Sequence, residues 1–165
     1  MRGLVLRIDK VSELIGKVFS WLILLMVIFT CLVVIMRYVL GLGSVLLQDI
    51  VLYLHGSFFL LSISFAYKRD AHVRVDIFYR DATYKTKCVI NLLGNIILLQ
   101  PLCLVIFLYS WGFVEFSWKI LEVSPEPDGL PFVYIQKTLL LLMSFFLWVQ
   151  SLAEIIKSLI FLKND

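Results

Sequence analysis

The sequence predicts an all-α integral membrane protein with four transmembrane helices, and three observations carry that expectation. Of 165 residues, 61% are hydrophobic and 16% are charged, whereas a soluble domain is about 45–50% apolar and about 25% charged. A chain this short has no interior large enough to hide so much apolar surface. Four runs carry no Asp, Glu, Lys or Arg: 18–36, 50–67, 88–114 and 138–153. About 20 apolar residues cross a bilayer core. The basic residues between the runs are distributed unevenly. Twelve of the fifteen Lys and Arg lie at the termini or in the stretch 68–87, against three (Arg37, Lys119 and Lys137) on the other side. Short basic loops stay in the cytoplasm, so both termini are expected there. The net charge of +3 gathers at membrane edges and does not point to nucleic acid.

Taken in order, residues 1–17 place Leu4, Ile8, Val11, Ile15 and Val18 at helical spacing, with Asp9, Glu13 and Lys17 on other faces. Two readings fit: an amphipathic helix lying in the headgroup plane, or a plain cytoplasmic lead-in. The first span is expected over 18–38. A cleaved leader would have an apolar region of about 7–15 residues and a small-residue cleavage site. This run is longer and ends in Arg37-Tyr38, so it reads as a retained span.

Gly41-Leu42-Gly43-Ser44 marks a turn, and the second span is expected over 46–67, entered through Gln48-Asp49. His55 is the one ionisable group well inside any run. Gly56, Ser57, Ser62 and Ser64 are small enough for close helix contact. The third span, 88–114, exceeds the core thickness as a helix. It should tilt or protrude, with extension to about 121 supported by Glu115 and Lys119 in the favourable i,i+4 order. Pro101 predicts a kink. Asn91, Gly94 and Asn95 can bond to or pack against a neighbour. Ser124-Pro125-Glu126-Pro127-Asp128-Gly129 ends the helix. Pro131 suits the first turn of the last span, expected over 132–156, with Glu154 and Lys157 as i,i+3 partners. The whole chain reads as one domain.

The chemistry open to such a chain is narrow. Cys31, Cys88 and Cys103 form no CxxC pair and read as buried small hydrophobes, not as a disulfide framework or zinc site. Ion or proton carriers keep charged groups at membrane depth and commonly show inverted repeats; neither is seen. Haem held by two histidines needs facing ligands, yet only His55 and His72 exist, and His72 falls in the basic loop. His55 alone is more often a helix-to-helix hydrogen bonder than a ligand. No cofactor and no catalytic constellation is implied. If extended, His72-Val73-Arg74-Val75-Asp76 puts polar groups on one side and valines on the other; it seats on a membrane surface or is a solvated loop.

The order of four spans, His72-Val73-Arg74-Val75-Asp76 after the second, then Glu122-x-Ser124-Pro125 and Gly129-Leu130-Pro131 before the fourth, resembles the small membrane subunit of tripartite ATP-independent periplasmic (TRAP) transporters. The likeness spans about residues 10–160. It implies a bacterial inner-membrane subunit that binds a large, elevator-type transport subunit driven by sodium. A periplasmic substrate-binding protein delivers the cargo. The long outer segment with Ser117, Trp118, Glu122 and Ser124 is similar to the branch tied to small organic acids. In that picture the small subunit enlarges a fixed scaffold and holds no substrate. His72, Arg74 and Asp76 would brace the cytoplasmic edge against lipid or the large subunit, with Asp49 at a membrane edge. Glu122, Ser124, Gly129 and Pro131 would shape the periplasmic surface. Family members often carry Pro soon after the position of Lys137, but Thr138-Leu139-Leu140-Leu141 has none, so no kink is implied there. Two other functions compete: a stand-alone exporter, which needs an acidic group inside a span, and a membrane anchor for a redox complex.

Overall fold

The computed structural model describes residues 2–71 and 82–164. It is helical, and among the described residues there is no strand. Helix α1 is Arg2–Tyr38 and α2 is Val45–Lys68. A short α3 (Tyr84–Gly94) runs through a five-residue π turn (Asn95–Leu99) into α4 (Gln100–Ile120). The last helix, α5, is Val133–Asn164. Four helices are long and apolar enough to cross a membrane: Gly3–Tyr38, Val45–Lys68, Tyr84–Ile120 and Val133–Lys163.

The helices form a layer, not a closed bundle. The first packs on α2, α2 packs on α5, and α5 packs on α4, while α1 meets α5 less extensively, with side-chain links toward the chain termini. Helices α1 and α4 are therefore the two edges, and α5 is the spine. The buried residues follow: Leu139, Met143, Ser144, Leu147, Gln150, Ser151 and Ala153 all lie on α5. On α1, by contrast, the half leading to Tyr38 touches α2 along a single seam, leaving Trp21, Leu24, Val27, Ile28 and Ile35 exposed. In water that surface would be untenable; against lipid chains it is the ordinary exterior.

Local sequence sets the boundaries. Gly41 adopts φ +69°, and Ser44 caps α2 by accepting the Leu47 N–H at 3.4 Å. Helix α2 ends where Ala71 N–H reaches back to Ala66 C=O across Asp70, in the left-handed region at φ 56°. Helix α4 ends the same way: Leu121 turns left-handed, and Glu122 N–H bonds to Ser117 C=O. Both are αL stops that satisfy otherwise orphaned carbonyls.

Several expectations change. Residues 2–17 are no separate interfacial element; α1 runs unbroken for 37 residues, about 55 Å of helix. Its inward side mixes polar and apolar residues, with Ile8 and Ile15 half-buried there. Val5 and Ser12 are buried and Asp9 and Glu13 half-buried, while Leu4, Val11, Leu14 and Val18 are exposed. Asp9, Ser12 and Glu13 face the bundle because their hydrogen-bonding partners are there. The third spanning helix starts at Tyr84 and the last continues to Asn164, both beyond their uncharged runs. Pro131 lies just before α5, and the Phe132 carbonyl accepts the first N–H groups instead. Pro101 sits at the second position of α4, directly after the π turn. A proline lacks the N–H for the i−4 carbonyl and crowds it; the wider π turn absorbs that misfit. Of the cysteines, Cys103 is buried, Cys88 half-buried and Cys31 exposed, so the buried reading fails for Cys31.

Candidate functional site

Polar side chains join the helices at both ends of the layer. At the end holding the chain termini, Gln150 is wholly buried. It accepts from Ser12 Oγ at 2.6 Å and donates to Asp9 Oδ1 at 3.0 Å. Lys157 Nζ lies 2.9 Å from Asp9 Oδ2 and 2.7 Å from Glu154 Oε1. Lys68 donates to Asp9 C=O at 3.0 Å and to Glu13 at 2.9 Å, and Arg69 reaches Glu13 at 3.1 Å. Helices α1, α2 and α5 are thereby tied by charge-assisted bonds, the stronger kind. The fourth member joins through Asn95, buried in the π turn. Its Oδ1 accepts from Tyr67 Oη and, at 2.9 Å, from Ser151 Oγ. Gln100 donates to Ser151 Oγ at 3.2 Å.

At the opposite end Asp49, Ser124 and Gly129, three of the residues singled out in the sequence, lie together. Asp49, buried on α2, accepts the Leu130 N–H at 2.9 Å. Ser124 N–H bonds back to Leu130 C=O at 3.2 Å, and Gly129 N–H to Glu126 C=O at 3.1 Å. Gly129 is packed so tightly that an added Cβ would lie 2.6 Å from Asp49 Oδ2 and overlap Ser124 Oγ. Glu122 pairs with Lys137 of α5, and Lys137 Nζ sits 3.9 Å from the Phe113 ring centroid. That ammonium holds the Glu122 carboxyl below its ordinary 4.5. Trp118 donates to Thr138 Oγ1 at 2.9 Å and stacks edge-on against Tyr134. Pro131 is exposed beside this cluster.

His72, Arg74 and Asp76 lie outside the described residues. His55 is exposed on α2, its ring stacked loosely on Phe59 at 6.1 Å. The close contact anticipated at Gly56 exists, where the Gln136 side chain of α5 is admitted; Gly16 of α1, not singled out in the sequence, admits the Phe65 ring. The Asp9–Lys157 and Ser12–Gln150 links were not anticipated, since they join the two ends of the chain. A polar run inside helix-forming sequence was their only trace.

Among the described residues are cavities of about 240, 230 and 250 Å³. Two flank Asn91, Glu154 and Ser158 near the termini; the third is an apolar groove between Cys103, Phe107 and Trp148. Neither Asp49 nor His55 lines any of them. Among the described residues no group of three His, Cys, Asp or Glu is placed to hold a metal. The polar groups named above serve helix-to-helix bonding, while Tyr53 Oη, Ser62 Oγ, Ser64 Oγ and Trp148 Nε1 are buried without a hydrogen-bond partner among the described residues.

Four helices able to span a membrane, fixed together by polar braces, point to a multi-pass membrane protein. Residues 26–160 match the DctQ component of tripartite ATP-independent periplasmic transporters, and the chain belongs to that family. It is thus a TRAP transporter small permease subunit. Comparison with curated proteins and with solved structures gives no match.

Proposed function

We propose that this chain is the fixed scaffold subunit of a sodium-coupled TRAP transporter for an organic acid, located in the bacterial inner membrane with both termini in the cytoplasm. It binds and steadies the large elevator-type subunit and carries no substrate itself. One observation supports this above others: the polar side chains that join the layer are engaged with one another at its two ends. A rigid frame needs that arrangement, whereas a carrier needs polar groups left for its cargo. The excess of Lys and Arg in the termini and the 68–87 stretch supports the orientation.

The cluster of Asp49, Glu122, Ser124, Gly129 and Pro131 then faces the periplasm, where it shapes the surface on which the substrate-binding protein docks. His72, Arg74 and Asp76 brace the cytoplasmic edge against lipid phosphate or the large subunit. Copurification with the large subunit, followed by uptake in liposomes, is the direct test. Transport by the small subunit alone would defeat the scaffold reading. Charge reversal at Arg74 or Asp76 should lower assembly or uptake with substrate preference unchanged; a shifted preference would count against a bracing role.

A further inference from the structure

The imidazole of His55 has no hydrogen-bond partner among the described residues and is exposed on α2. Its depth makes this costly. It lies ten residues from Val45 and thirteen from Lys68, the ends of α2, or about 15 Å and 20 Å along the axis. That is the middle of the span, out of reach of either headgroup layer for a side chain this short. Ionisable side chains at that depth face a protein interior or a wet cavity and find partners there. His55 lines none of the three cavities. Thr30, on the exterior of α1, is by contrast satisfied locally by the Met26 carbonyl at 2.7 Å. Along the same side of α2, at spacings of four, three and four, Gln48, Leu52, His55 and Phe59 are all exposed. The exposed side of α4 at similar depth is different: Leu102, Leu104, Val105 and Leu108 suit lipid.

We propose that the Gln48–Leu52–His55–Phe59 side of α2 is the surface on which a transmembrane helix of the large transport subunit docks. A hydrogen-bonding side chain of that helix meets the His55 imidazole at mid-depth. This rests on the scaffold reading and adds to it the surface used. A TRAP small subunit works beside a large membrane component, which supplies a helix at the required depth. Leu52 and Phe59 then pack to either side of the polar contact and keep lipid from it, where a hydrogen bond between helices is worth holding.

The test uses the full chain coexpressed with its large subunit, carrying a photoreactive amino acid at position 52 or 59, with position 108 on α4 as control. Adducts with the large subunit from 52 and 59, and not from 108, are the expected result. If the unsubstituted chain copurifies but 52 and 59 give no adduct, or adducts with a second copy of this chain, the docking surface is wrong and the scaffold reading stands. If the unsubstituted chain fails to copurify, both fall. A second measurement needs no crosslink. His55→Leu should leave the melting temperature of the isolated chain unchanged or higher. It should also lower the large subunit retained on washing by about threefold to tenfold, with His55→Gln recovering much of the loss. Retention equal to wild type, or a lower melting temperature of the isolated chain, would overturn the proposal.

Discussion

At the scale of single residues, the loop between α4 and α5 turns on one carboxylate. Asp49 is buried and its Oδ2 accepts the Leu130 N–H, so Asp49→Ala leaves that donor without a partner. An unsatisfied buried group costs about 1–3 kcal/mol, and the melting temperature of the purified subunit should fall accordingly. Gly129→Ala attacks the same contact from the other side, because its Cβ would press on Asp49 Oδ2 and Ser124 Oγ. Overpacking of this kind costs about 1–3 kcal/mol. Equal stability of both variants and wild type would show that the loop is not held by Asp49. Ser124 and Gly129 were legible only through their likeness to a known motif. Nothing in local spacing says that Asp49, some eighty positions earlier, is the acceptor for the neighbouring Leu130 N–H.

Glu122 gives the pH dependence of that end. Lys137 holds its native pKa below the ordinary 4.5, so the ionised pair stabilises the fold fully above the unfolded value. The contribution is lost as pH falls through the lowered native value, when the carboxyl takes up a proton. Glu122→Gln should therefore melt below wild type near neutral pH, with the gap closing only under acid conditions. Both side chains keep some exposure to solvent, which screens the pair and keeps the gap small. Thermal scans of the two proteins across pH check this; a gap that widens on acidification would contradict it.

At the scale of elements, the sequence was most informative where composition alone decides. Four uncharged runs and the brackets between them locate the spans, because hydrocarbon excludes charge whatever the tertiary structure. The Glu115–Lys119 pair, observed at 2.6 Å, was legible because both residues lie on one helix. The inward polar residues of α1 were not. Periodicity finds an apolar and a polar stripe, but in a membrane the apolar stripe is free to face outward. The π turn was equally hidden. Pro101 announces a disturbance without saying that a wider turn upstream will absorb it. That turn carries Asn95, whose side chain serves Tyr67 and Ser151 together. Asn95→Leu should strip both hydroxyls of their acceptor and loosen α3–α4 from α5. Hydrogen bonds between membrane helices average about 0.6 kcal/mol and reach about 1.7, so a loss of about 1–3 kcal/mol is expected for the pair. Hydrogen exchange at the π turn should rise with it; unchanged protection would mean packing alone holds this junction.

At the scale of the whole molecule, the layer is only as stiff as the links that join its ends. The first and last helices meet through Asp9 and Lys157, 2.9 Å apart, and through Ser12 and the buried Gln150. A pair so distant in the chain forms only when the first and last helices are brought together, so it reports tertiary packing and not local helix formation. Removing one partner strands the other at the membrane edge among half-buried neighbours, and Glu154 competes for the freed Lys157. Asp9→Asn and Lys157→Gln should each destabilise the subunit, and the double variant by less than the sum, with a coupling of about 0.5–3 kcal/mol. The same cycle, read as retention of the large subunit, asks whether stiffness matters to assembly. A scaffold that binds as a preformed surface loses affinity as its own fold loosens, because it must first be ordered before it can dock. The coupling seen in melting should then reappear in retention. If retention is indifferent while melting falls, the large subunit is not reading a rigid layer, and the frame is ordered by its partner instead.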